Sequence, residues 1–303
     1  MRRFAIVALV LAASVSCKEE KVARPQANHA ARIATVDSNA VHTNGAVDTV
    51  TYPEGPEGVA ARRGFAILAA TRDSLPDYVG NGLRCFSCHL DNGRRPNAIP
   101  LTGVYARYPS YSARDGRVLT IQDRVNNCFR RSLAGRNVPT DSREMHDIVT
   151  YLALISRGIA VGAHVPGQGL LTMPPLSGDT ARGVAIFAAS CTRCHGVNGA
   201  GIPPATAVWG PRSYSVGASL ARVERAASFI RHNMPFDSAG VLTNQQAYDV
   251  AAYIVSQSRP NSRGIEGDWP DGGAPSDVPY NTKGHAAFNP PKHLSWCAER
   301  RAV

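Results

Sequence analysis

The sequence has no hydrophobic run long enough to cross a bilayer. Its only continuous apolar stretch is residues 4–15, and a spanning helix needs about 20 such residues. That excludes a polytopic membrane protein. Cysteine is sparse and odd in number, seven in 303 residues, which excludes a disulfide scaffold. No run shows the alternation of a convincing strand. No nucleic-acid-binding motif accompanies the formal charge of +10, so the excess, rich in arginine, is read as attracting small anions or an acidic partner. Charged residues are 18% and hydrophobic ones 44%, enough apolar surface for buried cores. The 27 glycines and 21 prolines are more than a tight bundle tolerates, so long loops between helices are expected.

Arg2 and Arg3 precede the apolar Phe4–Ala13, the order of an export signal. It ends at Ser14-Val15-Ser16-Cys17, the pattern of a bacterial lipoprotein processing site. Residues 1–16 are therefore read as a signal peptide. Cys17 is read as a lipid acceptor, the alternative being ordinary signal cleavage with an incidental Cys, and 17–56 as a tether. The expected location is periplasmic, anchored to the membrane through Cys17.

Beyond the tether, one pattern occurs twice. Residues 58–70 read as a helix and lead to Cys85-Phe-Ser-Cys88-His89; a second helix is expected over 141–156, ended by Gly158. Asp179–Phe187 reads as a helix leading to Cys191-Thr-Arg-Cys194-His195. A capping box at Thr243–Gln246 starts a helix whose Ala247, Val250, Ala251 and Ile254 share one face. The expected architecture is all-α, in two tandem units, 57–162 and 163–260. An irregular extension, 261–303, is expected to lie over them.

Cys-x-x-Cys-His is the attachment signal of c-type haem. The two thiols add to the two vinyl groups of one porphyrin, and the adjacent His swings beneath the iron. A redox dithiol needs no His, and a zinc site needs two further ligands nearby. Two covalent haems are expected, on Cys85, Cys88 and His89 and on Cys191, Cys194 and His195. Opposite His195 the candidate ligand is Met234, 39 residues downstream, with His232 as rival. Between His89 and residue 141 there is no Met, His or Lys. The one strong iron ligand there is Cys128, again 39 residues after its His. A five-coordinate iron or an inert buried thiol are the alternatives, and Met145 and His146 lie on the closing helix. A thiolate ligand stabilises ferric iron and lowers its potential. Around Cys128 stand Arg114, Arg117, Arg124, Arg130 and Arg131. Guanidinium groups suit oxyanions, so the cluster points to an oxyanion that carries sulfur.

Arg84–Asp91, Val104–Tyr111 and above all Arg124–Ser132 resemble the dihaem c-type thiosulfate dehydrogenases. Asn233-Met234-Pro235, Asp268-Trp269-Pro270 and Asp277–Tyr280 are similar too, and the resemblance covers residues 55–292. It implies cytochrome c-like domains, His89/Cys128 ligation at an active-site haem and His195/Met234 ligation at an electron-transfer haem. It also implies Arg114, Arg124 and Ser132 along the substrate pocket. The family can carry a Lys before the Met that exchanges with it as ligand; here that residue is Asn233. Cys297 has no counterpart. The implied reaction joins two thiosulfates into tetrathionate and passes electrons singly to a small carrier such as a monohaem cytochrome c, and it is also open to reversal. The alternatives are a tethered dihaem electron carrier and a haem subunit of a Sox-type thiosulfate-oxidising complex.

Overall fold

The computed structural model describes residues 50–282. The signal peptide, Cys17 and Cys297 lie outside them. Six helices of seven or more residues carry the fold among the described residues: α1 (Pro56–Ala69), α2 (Ile121–Asn127), α3 (Arg143–Leu154), α4 (Thr180–Ser190), α5 (Val223–Asn233) and α6 (Asn244–Ser256). None is long and apolar enough to cross a membrane. Each starts where local chemistry allows. Pro56 supplies a preset φ in the first turn of α1, and Ser142, Asp179 and Thr243 accept backbone N–H groups at the starts of α3, α4 and α6. The capping box expected at Thr243 is formed, Gln246 Oε1 accepting from Thr243 N at 2.8 Å.

The two units share one helix crossing. In the first, α1 packs on α3 at Gly64. A Cβ there would lie 2.0 Å from the carbonyl oxygen of Asp147. Arg63 beside it grips the Asp147 carboxylate through Nε at 2.7 Å and Nη2 at 2.6 Å. In the second, α4 packs on α6 at Gly183, whose Cβ would meet the carbonyl oxygen of Asp249 at 2.2 Å. Arg182 grips Asp249 with the same two donors, at 2.7 and 2.9 Å. Aromatic trios fill in beside each crossing: Phe65, Phe86 and Tyr151 in one, Phe187, Trp209 and Tyr253 in the other.

The largest apolar core does not stop at the end of the first unit. It contains Phe86, Leu90, Phe129, Met145 and Tyr151 and continues into Tyr214, Leu220 and Phe229 of the second. Val50 and Tyr52, at the end of the stretch read as a tether, pack on this core, and Arg62 stacks over Tyr52. The Gly- and Pro-rich start of the second unit is also fastened: the carbonyls of Gly167 and Gly169 accept from Asn97 N and Ile99 N, and Leu171 O accepts from Ser228.

Two features differ from the sequence expectation. Ser110–Ser112 and Arg117–Leu119 pair as antiparallel strands β1 and β2, closed by a turn with Gly116 at φ 62°. Three-residue strands are too short to show alternation. The other feature is α5, to which the sequence reading assigned no helix although Val223, Ala226, Ala227 and Ile230 recur at helical spacing.

Because Gly183 meets backbone rather than a movable side chain, Gly183→Ala must push α4 off α6. Overpacking of this kind costs about 1–3 kcal/mol. Urea unfolding of the haem-loaded protein is expected to show that loss; an unchanged midpoint would contradict the crossing described.

Candidate active site

The second Cys-x-x-Cys-His follows α4 directly, in a short helix Thr192–His195. Burial raises the Cys191 thiol to about 11, so it remains neutral until it reacts. His195 Nδ1 lies 2.9 Å from the Thr206 carbonyl. A carbonyl only accepts, so Nδ1 carries the proton and Nε2 keeps a free lone pair, the arrangement a metal-binding His requires. His195, Cys191, Cys194 and Met234 line one cavity, walled by Phe187, Val250 and Ile254. An apolar chamber with two thiols, a His and a Met on its wall fits a haem. His232, the rival to Met234, points its Nδ1 at Ser228 O on its own helix and is not on that wall.

In the first unit Cys85 and Cys88 are pushed up to about 12 by burial, although Thr71 Oγ1 lies 3.3 Å from Cys85 Sγ and opposes the shift. His89 Nδ1 is fixed 2.5 Å from Ile99 O, which turns the other side of the ring towards Cys128. Met145, on α3, is fully buried in the core, and His146 beside it is exposed. The group brought to His89 is Cys128. Burial alone would raise its thiol. Arg124 and His89 outweigh that and hold it at about 6. Arg124 Nη1 donates to Cys128 Sγ at 2.9 Å, and the thiolate in turn raises the Arg124 guanidinium. Tyr108 stands near the same pair; burial raises its phenol, and the Arg124 charge opposes the rise.

Cys128 opens a π-helical turn, Cys128–Ser132, continuous with α2. Leu133 N reaches back five residues to Cys128 O at 3.0 Å. Wider turns of this kind recur at functional sites. The α2 segment is braced below, Asn126 accepting from Val138 N at 2.8 Å and donating to Val138 O at 2.9 Å. Ser132 O accepts from Asn81 Nδ2, which also donates to Ser213 O in the second unit.

The arginine cluster is less free than the sequence alone implied. Arg114 Nε donates to Asp268 at 2.8 Å, and its Nη2 donates to Gly217 O and is hydrogen-bonded to Tyr280. Its guanidinium lies over Trp269, 4.9 Å from the ring centre. Arg131, buried, pairs with both Asp115 and Asp268. Arg130 approaches Asp115, and Arg117 pairs with Asp123. Arg124 is the member whose partner is sulfur. Five arginines are thus set against three aspartates and one thiolate, which leaves one positive charge. Asp115, Asp268, Tyr108 and Tyr280 carried no assigned role in the sequence reading. Asp268 and Tyr280 lie about 140 residues or more beyond Cys128, a spacing no local motif announces.

Comparison with known proteins identifies the two haem domains. Residues 79–161 match the SoxA/TsdA cytochrome c domain family, and residues 180–258 match the cytochrome c family. A thiosulfate dehydrogenase from Psychrobacter arcticus is 40% identical over 240 residues, 76% of this chain and 73% of that protein. One from Allochromatium vinosum is 39% identical over 71% of this chain and 84% of that protein. Among solved structures, a thiosulfate dehydrogenase (TsdBA) from Marichromatium purpuratum superposes with a TM-score of 0.67 at 34% identity. The match covers 72% of this chain and about half, 50%, of that longer one. Two cytochrome c domains mean two covalently bound c-type haems.

The helix presenting Arg124 and Cys128 begins at Thr120, capped by Asp123. Arg117 and the Thr120 amide hold the Asp123 carboxyl down at about 2, below its ordinary 3.8. A depressed carboxyl stabilises the fold above its unfolded pKa and ceases to do so as it protonates. That part of the stability is therefore present above about pH 4 and lost as pH falls towards 2. Asp123→Asn is expected to flatten the loss across this window in urea titrations at graded pH. Equal slopes in the two proteins would refute the assignment.

Proposed function

The chain belongs to the thiosulfate dehydrogenase family, and we propose that it oxidises thiosulfate to tetrathionate at the Cys128 site of its first haem domain. The observation that carries this reading is the Arg124–Cys128 pair beside His89. It is a buried thiolate matched to a cation, within a cluster that retains a net positive charge. Two thiosulfate dianions join through one new sulfur–sulfur bond, giving a tetrathionate dianion and two electrons. The bound haems supply one-electron acceptors for that pair of electrons.

The chain's own residues have three tasks. Arg124 keeps Cys128 deprotonated and offers a desolvated guanidinium to the incoming oxyanion, where charge-assisted hydrogen bonds are strongest. Cys128 is the sulfur that yields its place to the substrate or takes part directly. Arg114 is a weaker anion partner than the sequence suggested, because Asp268 already balances its charge. It lends shape and donors to the pocket rather than free charge. Ser132 completes the pocket in this proposal. His89 and Cys128 would hold the iron of the first haem, and His195 and Met234 that of the second. The second haem would supply one-electron transfer to a small carrier such as a monohaem cytochrome c. The leader pattern supports a periplasmic enzyme anchored through Cys17.

The haem-loaded protein is expected to reduce its own haems on mixing with thiosulfate and to form tetrathionate in the same tube. Cys128→Ala, with both haems retained, is expected to lose nearly all turnover. Arg124→Gln should lower kcat/KM about 10- to 100-fold, the worth of a charged hydrogen bond. Haems that dithionite reduces and thiosulfate does not would instead indicate an electron carrier or a Sox-type subunit.

A further inference from the structure

The cavity of the second haem is not closed by the second domain alone. Phe86, Cys88, Leu90, Asp91 and Asn92 of the first domain form part of its wall. Cys88 belongs to the first haem motif, and Asp91 and Asn92 follow its His by two and three residues.

The loop after His89 has an unusual backbone. Asp91, Asn92, Asn97 and Ile99 all lie in the left-handed region, at φ 52°, 56°, 61° and 55°. For a β-branched residue such as Ile99 this is a genuine outlier. Such a conformation persists only where its surroundings over-determine it. Here both ends are tied: Asn97 N donates to Gly167 O at 2.7 Å and Ile99 N to Gly169 O at 2.9 Å. The loop then makes two contacts of interest. Ile99 O holds the His89 ring at 2.5 Å. Asn97 O accepts from Asn233 Nδ2 at 3.1 Å, and that same amide donates to Phe229 O inside α5 at 3.1 Å.

Asn233 is 1% exposed and immediately precedes Met234. On the other side of Met234, Phe236 is covered by Arg95 of the same loop, the guanidinium carbon 4.5 Å from the ring centre. Arg95 is 8% exposed, and its Nε is aimed by Asp91 at 2.8 Å. Met234 therefore sits between two residues, both gripped by the first domain.

We propose that Arg95 is a positioning residue for Met234. Together with the Asn97 carbonyl, it makes the first domain hold the distal ligand of the second haem. The inference rests on reading Met234 as that ligand. A buried guanidinium on an aromatic face is attracted far more strongly than an exposed one, so the Arg95–Phe236 stack is a firm stop on one flank. The Asn233 amide is the stop on the other. The loop that orients the His of one haem thereby also orients the thioether of its neighbour. Thioether ligation raises a haem potential, so a change in Arg95, in one domain, should lower the potential of the haem in the other.

The test uses the haem-loaded protein, with two readouts that do not depend on turnover. One is the far-red charge-transfer absorption of a Met-ligated ferric haem; the other is the midpoint potential of each haem by redox titration. Phe236→Leu and Arg95→Gln are expected to lose far-red absorption and to lower the potential of the second haem. The first haem should keep its potential and its spectrum. Phe236→Tyr, which keeps an aromatic face, should restore both signals, and Asn233→Ala should behave as Phe236→Leu does. Met234→Ala supplies the spectrum of complete loss. Absence of the far-red band from the unmodified protein would overturn the ligand reading and this inference with it. A band that Met234→Ala abolishes, but that Phe236→Leu and Arg95→Gln leave intact with unchanged potentials, would overturn the brace alone. If one variant fails to take up haem, the other two decide the matter.

Discussion

At Gly64, and again at Gly183, the backbone of one helix comes within hydrogen-atom contact of a carbonyl on its partner, and everything else in each haem unit is placed by that approach. A methyl group at either position would overlap the carbonyl of Asp147 or Asp249. Contact this close sets the angle of the two helices, and the adjoining Arg63–Asp147 and Arg182–Asp249 forks lock it. The second Cys-x-x-Cys-His segment follows α4 directly and the first follows α1 after two short helical turns, so each motif is anchored from its crossing. The closing helices α3 and α6 then wall the space in front of it.

The two units are not independent beads. One apolar core runs from Met145 and Tyr151 into Tyr214 and Phe229. Asn81 ties Ser132 to Ser213 with a single amide. Past α6 the chain returns to the first unit, and Asp268 enters between Arg114 and Arg131. Without that carboxylate, two guanidinium groups would be desolvated with too little opposing charge, which is costly in a protein interior. The tail is thus an electrostatic part of the Cys128 site, although it comes from the far end of the described chain. Its effect is selective. It pairs with Arg114 and Arg131, whereas Arg124 is paired with the Cys128 sulfur.

Much of this was legible in the sequence because it depends on short spacings. The two haem motifs, their helices and the cap at Thr243 are local, and each local choice agrees with the fold. The equal interval of 39 residues from His89 to Cys128 and from His195 to Met234 marks both distal candidates, because the two units are built alike. The small hairpin left little trace, since three-residue strands are too short to show alternation; α5, with Val223, Ala226, Ala227 and Ile230 on one face, was legible and went unread. The arginine cluster was legible as charge but not as chemistry. Which guanidinium groups are spoken for depends on aspartates that arrive from elsewhere in the chain.

By itself the sequence determined the covalent chemistry of this protein: two thiol pairs with adjacent His residues, a Cys where the second unit has a Met, and arginine near that Cys. Those features are fixed by residue type and by separations of a few residues, which no folding can alter. Only the tertiary structure decided the charge state and the coupling. Arg124 acts on Cys128 because one helical turn separates them and burial removes the water between them. Asp268 silences Arg114 from 154 residues away. Asn233 and Phe236 answer to Asn97 and Arg95 across the domain seam. Electrostatic and packing energies depend on distance in space and on desolvation, and neither quantity exists until the chain has closed upon itself.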